Sequence, residues 1–229
     1  MKVVKITFEM AKPFIMKIHY ARRMPCIQYA FGLLDDNDEL VGVVTFGQPA
    51  SPSLCIGVAG TENKKNVLEL NRLVLTTNKK NSASFLVGKA LKQLPKNTFV
   101  VSYADVEGWG HVGYVYQATN FLYTGMTVKR TDVYNGGSNK HQRHVVGDRS
   151  KRQLRSVKHR YVYLVGNKKK MLEQLKYPIL PYPKGDSRRY DTECPQPLLT
   201  PKLINKDIEN DDVVGDSSNS EANLNDFFC

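Results

Sequence analysis

The stretch from Leu68 to Gly125 constrains this chain most. It reads LELNRLVL, the polar run TTNKKNSAS, the helical run FLVGKALKQL, then FVVSYAD and WGHVGYVYQATNFLYTG. That order predicts strand, loop, helix, strand, helix and short strand. Two parallel strands need a crossover, and a helix of this length supplies one. A polar turn between a strand and a helix start presents free backbone N–H groups, which suit a phosphate or another anion. Glu69 and Asn71 share one face of the first strand if side chains alternate. They either line a cleft or decorate a strand near an edge.

Val3–Glu9 predicts a first strand, and a helix should follow over Ala11–Arg22. Pro13 is tolerable in its first turn and Phe14, Ile15, Ile18 and Ala21 form its apolar face. His19 and Tyr20 come late on that helix, before Pro25 breaks it. A histidine at a helix end is more often structural than catalytic. IQYAFGLLD and LVGVVTFG form a hairpin about the turn DDND, and QPASPSL reads as a loop. The next helix spans Ser82–Leu94, capped by Asn81 or Ser82, with Val87, Ala90, Leu91 and Leu94 as its core stripe. Gly88 within it costs about 1 kcal/mol against alanine, which close packing would explain. Thr98–Ala104 is a strand with Asp105 at its carboxyl end, where ligands bind in open α/β sheets or where an aspartate caps a turn. RYVYLV (Arg160–Val165) returns to strand character, KKKMLEQLK is a short helix, and prolines 178, 181 and 183 end the domain.

HYARRMP, LELNRLVL, SYAD and GYVYQATNFLYTG, in that order and spacing, resemble the Mom family of phage DNA-modification proteins, part of the GNAT-type acyltransferase superfamily. The resemblance implies an α/β (α+β) fold with a GNAT-like mixed central sheet and flanking helices. A basic insertion should precede the last strand. The domain is expected over 1–190 and a disordered acidic tail over 191–229. The implied reaction places a carbamoylmethyl group on the exocyclic amine of adenine, shielding phage DNA from restriction in the host cytoplasm. By resemblance, His19, Tyr20 and Asp105 form the chemical centre, as acid, base or ligands of iron. Glu69 is the candidate base beside the acceptor amine, and Tyr114 joins the catalytic set. The target base must leave the duplex stack, and Tyr20, Trp109 and Tyr114 offer rings to receive it. Leu73, Val74, Lys79, Lys80, Ser82, Ala83 and Ser84 occupy the place where the superfamily holds acetyl-coenzyme A. The superfamily's two spaced glycines are missing from that loop, so the acyl donor is not identified.

Charge bears on the partner by a separate route, though charge alone does not separate DNA from RNA or from an anionic membrane. The net charge is +11. From Asp191 onward there are two lysines and nine acidic residues, 2 − 9 = −7, so residues 1–190 carry 11 + 7 = +18. A body that basic attracts polyanions, above all nucleic acid. Residues 138–160 hold eight Lys/Arg, three His and one acid. Lys140, Arg143, Arg149, Lys151, Arg152, Arg155 and Lys158 are the candidates for phosphate contacts; a basic run can also be only a solvated face. The tail, ending in Phe227 and Phe228, suits a protein partner. Four cysteines without a CxxC pair argue against zinc and a disulfide framework. The absence of a long apolar run and of a charged-then-apolar leader predicts a soluble intracellular protein. Two rival functions remain: an N-acetyltransferase acting on an amine or protein, and a non-enzymatic single-strand binder. An adenine methyltransferase lacks its Asn/Asp-Pro-Pro-Tyr/Phe tetrapeptide here.

Overall fold

The computed structural model describes residues 1–106, 111–134 and 151–185, with 203–204 as backbone. Trp109, Lys140, Arg143, Arg149 and the acidic tail, apart from the backbone of 203–204, lie outside the described residues. The chain divides into two units, Met1–Val128 with Ser156–Thr200, and Lys129–Arg155 with Pro201–Cys229.

The first unit is built on a seven-stranded sheet. Its strands are β1 (Lys2–Lys5), β2 (Tyr29–Leu34), β3 (Leu40–Gly47), β4 (Val67–Leu75), β5 (Thr98–Asp105), β6 (Leu122–Met126) and β9 (Lys158–Val165), in the spatial order β1-β2-β3-β4-β5-β9-β6. Every neighbouring pair is antiparallel except β4 and β5. That parallel pair is joined by the predicted crossover helix, α3 (Ser82–Leu91). The mixed sheet with flanking helices is as expected.

Helices cover both faces. On one, Leu86, Val87, Ala90 and Leu91 of α3 pack on Phe31, Val44, Leu70, Val100 and Tyr161. Phe121, just after α4 (Tyr114–Ala118), joins this core. On the other, α2 (Pro52–Asn63) and α5 (Lys168–Gln174) bury Cys55, Val58 and Met171 against Val67, Phe99, Val101 and Val162. Ala11 of α1 (Phe8–Pro13) and Ile15 pack on Ala30 and Val43 beside them. The second unit contributes β7 (Arg130–Val133), β8 (Arg152–Arg155) and β10 (Leu203–Ile204), in the order β10-β8-β7. Part of the basic run is therefore a strand rather than a loop.

Several expectations are corrected. The first strand stops at Lys5, because Thr7 accepts from the Met10 amide and starts α1 early. Pro13 then cannot continue the i−4 ladder as a donor. The chain passes into a π-helix, Phe14–Ile18, and ends with the His19 amide on the Phe14 carbonyl at 3.0 Å. The helix therefore ends at Ile18, not Arg22. QPASPSL is not all loop: Ser51 caps α2 through the Leu54 amide at 3.3 Å, with Pro52 in its first turn. Asn81 precedes α3 in a left-handed conformation (φ 65°) and its side chain makes no cap bond. An added Cβ at Gly88 would meet only Thr119 Cγ2, at 3.9 Å, so close packing does not require that glycine.

Two irregularities shape the sheet. The β3–β4 register runs Thr45↔Arg72 and then Phe46↔Leu70, so Asn71 is the extra residue of a bulge. It breaks the alternation that would have set Glu69 and Asn71 side by side. Glu69 follows the face of Val67, and Arg72 the face of Val74, whose partner Val43 packs under α1. The second irregularity is a split. β4 and β5 pair only at Val67↔Phe99, Leu68↔Val100 and Glu69↔Val101. Beyond that point β4 follows β3 and β5 follows β9, which leaves a notch at their carboxyl ends.

Candidate functional site

The segment after the π-helix crosses the end of β3 and β4 and is fastened there by three devices. The Arg72 guanidinium donates to the Arg23 carbonyl from Nε (3.3 Å) and Nη2 (3.0 Å), and to the Asn71 carbonyl from Nη1 (2.6 Å). Asn71 Nδ2 donates to the Cys26 carbonyl at 2.8 Å, while its Oδ1 accepts from Thr45 Oγ1 at 2.6 Å. Gly47 completes the seat, since a Cβ there would overlap the Cys26 carbonyl. The bulge thus turns Asn71 from a cleft residue into a clamp. A π-bulge marks functional sites often, and here it aims the residues that follow it at the notch.

His19 is buried and its Nδ1 accepts from the Ala21 amide at 3.0 Å. An acceptor at Nδ1 fixes the neutral ring with its proton on Nε2. Burial, with the Arg72 charge adding to it, pushes His19 down to about 3. The Tyr20 ring stacks on His19 at 4.3 Å between centroids and leaves 57% of the residue exposed. Desolvation raises its pKa; Arg72 and Arg23 oppose the rise and Asp105 adds to it. Tyr116 projects from α4 and is pushed up to about 12 by burial, offset by a hydrogen bond with Ser102 and increased by Tyr20, Glu69 and Tyr161. Desolvation lowers Arg72, which Tyr20 and Glu69 counter. Tyr20, Glu69, Arg72 and Tyr116 are therefore one electrostatic cluster at the mouth of the split. Ser102, with its hydroxyl on the Leu70 carbonyl at 3.2 Å, closes the floor between β4 and β5.

A profile of the Mom protein family matches residues 1–184. The chain belongs to the Mom protein family. It is 32% identical over 130 residues to the methylcarbamoylase Mom of Escherichia phage Mu. That match covers 55% of this chain and 54% of the phage Mu protein, about half the length of the curated relative. Among solved structures, a GNAT-like decarboxylase, GphF, in complex with isobutyryl-CoA is similar over 72% of this chain and 99% of its own (TM-score 0.40, 11% identity). The spermidine/spermine N-acetyltransferase SpeG of Vibrio cholerae is similar over 71% and 91% (TM-score 0.39, 12% identity).

In this Mom-family chain Tyr20 stacks on His19, and both lie within reach of the Arg72 charge, which Glu69 also meets. Asp105 lies within electrostatic reach of Tyr20 and His111. Its Oδ2 accepts from Ser156 Oγ at 2.6 Å and faces Lys158 Nζ at 3.6 Å. Lys158, expected on a phosphate, is thus paired with Asp105. Tyr114 is not in the cluster: it is 40% exposed and its hydroxyl donates to the Gly185 carbonyl. Tyr116, two residues on, is the tyrosine of α4 within electrostatic reach of Tyr20 and Glu69. Arg72 and Tyr116 are the residues sequence reading missed. Arg72 is visible only once the bulge is known.

The iron expectation meets a chemical obstacle. A metal on His19 Nε2 would need the proton moved to Nδ1, where the Ala21 N–H already points. Asp105 is engaged by a hydroxyl and an ammonium, and Tyr20 holds its proton more firmly than a free phenol. No group of three His, Cys, Asp or Glu side chains suited to a metal occurs among the described residues. The three do not fit an iron site as they stand.

The loop expected to hold the donor is largely engaged in bonds of its own. Lys79 pairs with Asp36 at 3.2 Å, the Ser82 amide bonds the Lys79 carbonyl at 3.2 Å, and Ser84 Oγ bonds the Asn81 carbonyl at 3.1 Å. Ser82 is buried, with its hydroxyl toward Met1 sulfur, and Ala83 lies between Ser82 and Ser84 in the first turn of α3. Val74 is buried and Leu73 packs against the main core. Lys80 is exposed. Beside this turn an open groove of about 390 Å³ runs between α3 and the end of α4, lined by Asn81, Ser84, Phe85, Lys92, Asn120 and Tyr163 among others. Among the described residues no helix is long and apolar enough to cross a membrane.

Proposed function

We propose that this protein is a DNA-modifying enzyme that places a carbamoylmethyl group on the exocyclic amine of adenine and so protects phage DNA from restriction. The observation that carries the reading is the cluster of Tyr20, Glu69, Arg72 and Tyr116 at the split between β4 and β5, in a chain of the Mom family. Adenine's amine is conjugated and weakly nucleophilic, so holding it in line with the donor supplies much of the rate. When its nitrogen bonds the incoming carbon it releases one proton, which Glu69 accepts. The donor's leaving group takes a proton in turn. Tyr116, pushed up to about 12, is protonated at neutral pH and is the donor of that proton. Neutral His19 offers only its Nε2–H, which makes it a hydrogen-bond donor here rather than a base. The exposed Tyr20 face is a platform for the flipped base.

The second unit supports DNA as the substrate. Arg130 faces Arg155 directly across the β7–β8 ladder, with Arg152 three rungs away and Lys151 next to it in the chain. Like charges opposite one another destabilise a ladder. Asp132 approaches Arg155 only to 3.9 Å, so a phosphate oxygen would relieve the pair.

The test is co-expression with plasmid DNA, digestion to nucleosides and mass spectrometry. A heavier deoxyadenosine, with the mass of a carbamoylmethyl adduct, is expected. Only unmodified deoxyadenosine, from soluble and well-expressed protein, would remove the reading. A second reading, an N-acetyltransferase on an amine or protein, draws on the polar turn that follows β4. Tight acetyl-coenzyme A binding by a protein with no affinity for DNA would favour it.

A further inference from the structure

We propose that the pole of the sheet opposite the candidate site is a second contact surface for nucleic-acid backbone. The proposal rests on the reading of DNA as substrate. Strand register brings six lysines to that pole. Val67 pairs with Phe99 and Thr98 pairs with Val165, so the start of β4, the start of β5 and the end of β9 lie side by side. Neighbouring strands are about 4.8 Å apart. Lys64 and Lys65 immediately precede β4, Lys96 precedes β5, and Lys168, Lys169 and Lys170 follow β9. The Asn97 amide bonds the Val165 carbonyl at 2.6 Å, and Met171 sits in one core cluster with Val67 and Phe99. These contacts tie the three lysine segments together. Asp105 stands seven residues along β5 from Thr98, about 23 Å at the usual rise, so the pole lies at the other end of the strand from Asp105, with Glu69, two residues along β4 from Val67, between the two.

Two features mark this cluster, its net charge and its place at the start of α5. Segments 62–66, 96–97 and 166–173 hold six lysines and two glutamates, 6 − 2 = +4. The lysines make no ion pair within 4.0 Å among the described residues, as is true also of Lys5, Lys12, Lys17 and Lys80, while Lys2, Lys79 and Lys158 each meet an aspartate. Finally, Lys168, Lys169 and Lys170 form the first turn of α5, with no acid there. Cations at the positive end of a helix oppose its dipole. The turn is held by Asn167 accepting from the Lys170 amide at 3.3 Å, and the lysines contribute nothing to that cap. A phosphate backbone fits best, since it presents repeated charges across a surface several strands wide. With one duplex segment held here, the notch stays near DNA between encounters with target bases.

The test uses the full chain, a 30-base-pair duplex, and the variant Lys168→Gln/Lys169→Gln/Lys170→Gln, with Lys64→Gln/Lys65→Gln as an independent second variant. Affinity is read by fluorescence anisotropy over a series of salt concentrations. The triple variant should bind at least tenfold more weakly at low salt. Its slope of log affinity against log salt should shrink by about two to three, since each lost phosphate contact removes about 0.9. Its melting temperature should be unchanged or higher, because cations leave the helix start. Wild-type affinity and slope in both variants, with folding intact, would overturn the proposal while leaving the substrate reading in place. A wild-type protein with no affinity for DNA would sink both. Binding of phosphatidylserine vesicles that depends on these lysines, with duplex binding unaltered, would also overturn it.

Discussion

Acid sensitivity should trace to His19. Its folded value is about 3, against 6.5 for the free side chain. The folded state therefore refuses a proton that the unfolded chain takes up below pH 6.5. The stability this represents is complete above pH 6.5 and is lost as pH falls from there toward 3. At pH 5 the unfolded chain is favoured by about 1.5 units of protonation, or about 2 kcal/mol. For a domain of this size that corresponds to a fall of about 4–8 °C in melting temperature. The groups that face His19 are Arg72 from β4 and Tyr20 beside it in the chain. The half-buried His111 and the buried His159 are also pushed down by burial and contribute in the same window. The comparison must therefore be between variants. Melting wild type and His19→Gln at pH 7.5 and pH 5.0 gives four temperatures, and the double difference isolates residue 19. Glutamine keeps an acceptor for the Ala21 amide and cannot be protonated. It should lose stability at pH 7.5 through poorer packing yet fall less between the two pH values. Equal falls in the two proteins would refute the assignment of His19 as a neutral, Nδ1-accepting ring.

The remaining predictions concern the clamp and the two tyrosines. Gly47→Ala should lower stability by about 1–3 kcal/mol, the cost of overpacking, and abolish modification by lifting the segment that carries His19 and Tyr20; retained stability and activity would show that the Cys26 contact is not needed. Arg72→Ala strips the Arg23 carbonyl of two donors and should cost about 1–3 kcal/mol in melts, while Arg72→Lys should recover little of it, since one ammonium cannot replace the fork. Tyr116→Phe should reduce adenine modification by about 10²–10⁴-fold with the melting temperature kept within a few degrees; Tyr114→Phe, which loses only the bond to Gly185, should modify DNA near the wild-type rate. Mass-spectrometric yield per cell, normalised to soluble protein, reads both tyrosine variants, and the reverse ranking would return the role to Tyr114.

Much of the architecture was legible because it rests on period and punctuation. LVGVVTFG and LELNRLVL alternate or run apolar as strands do, the turn DDND marks a hairpin, and a helix between two strands implies a parallel pair. What was not legible depends on long-range contacts. Residues 52–63 lack a helical stripe because α2 is buried on small residues, Cys55 and Ala59 with Val58, and is broken at Gly60 (φ 77°). The π-helix after Pro13 arises because that proline removes a donor in a turn whose other face is already packed, and neither spacing nor propensity announces it.

The site shows the same division more sharply. Alternation alone pairs Glu69 with Asn71, and that inference fails because one extra residue in β4 transfers Asn71 to the clamp and brings Arg72 to the notch. A bulge has no signature in a strand of this composition. It becomes visible only through its partner, Thr45, whose hydroxyl donates to Asn71 Oδ1. Choosing between Tyr114 and Tyr116 is likewise a question of helix phase. Gly113, left-handed at φ 76°, starts α4 where an added Cβ would strike the Tyr161 ring. Tyr161 therefore sets the rotation of α4. It stands 5.3 Å from Tyr116 between centroids and donates to the Val112 carbonyl. Through that contact a residue of β9, far along the chain, decides which tyrosine of GYVYQ reaches Ser102 and which turns out to Gly185. Removing the Tyr161 hydroxyl by Tyr161→Phe should loosen that phase without emptying the core, so its effect should fall on the modification rate before it falls on the melting temperature.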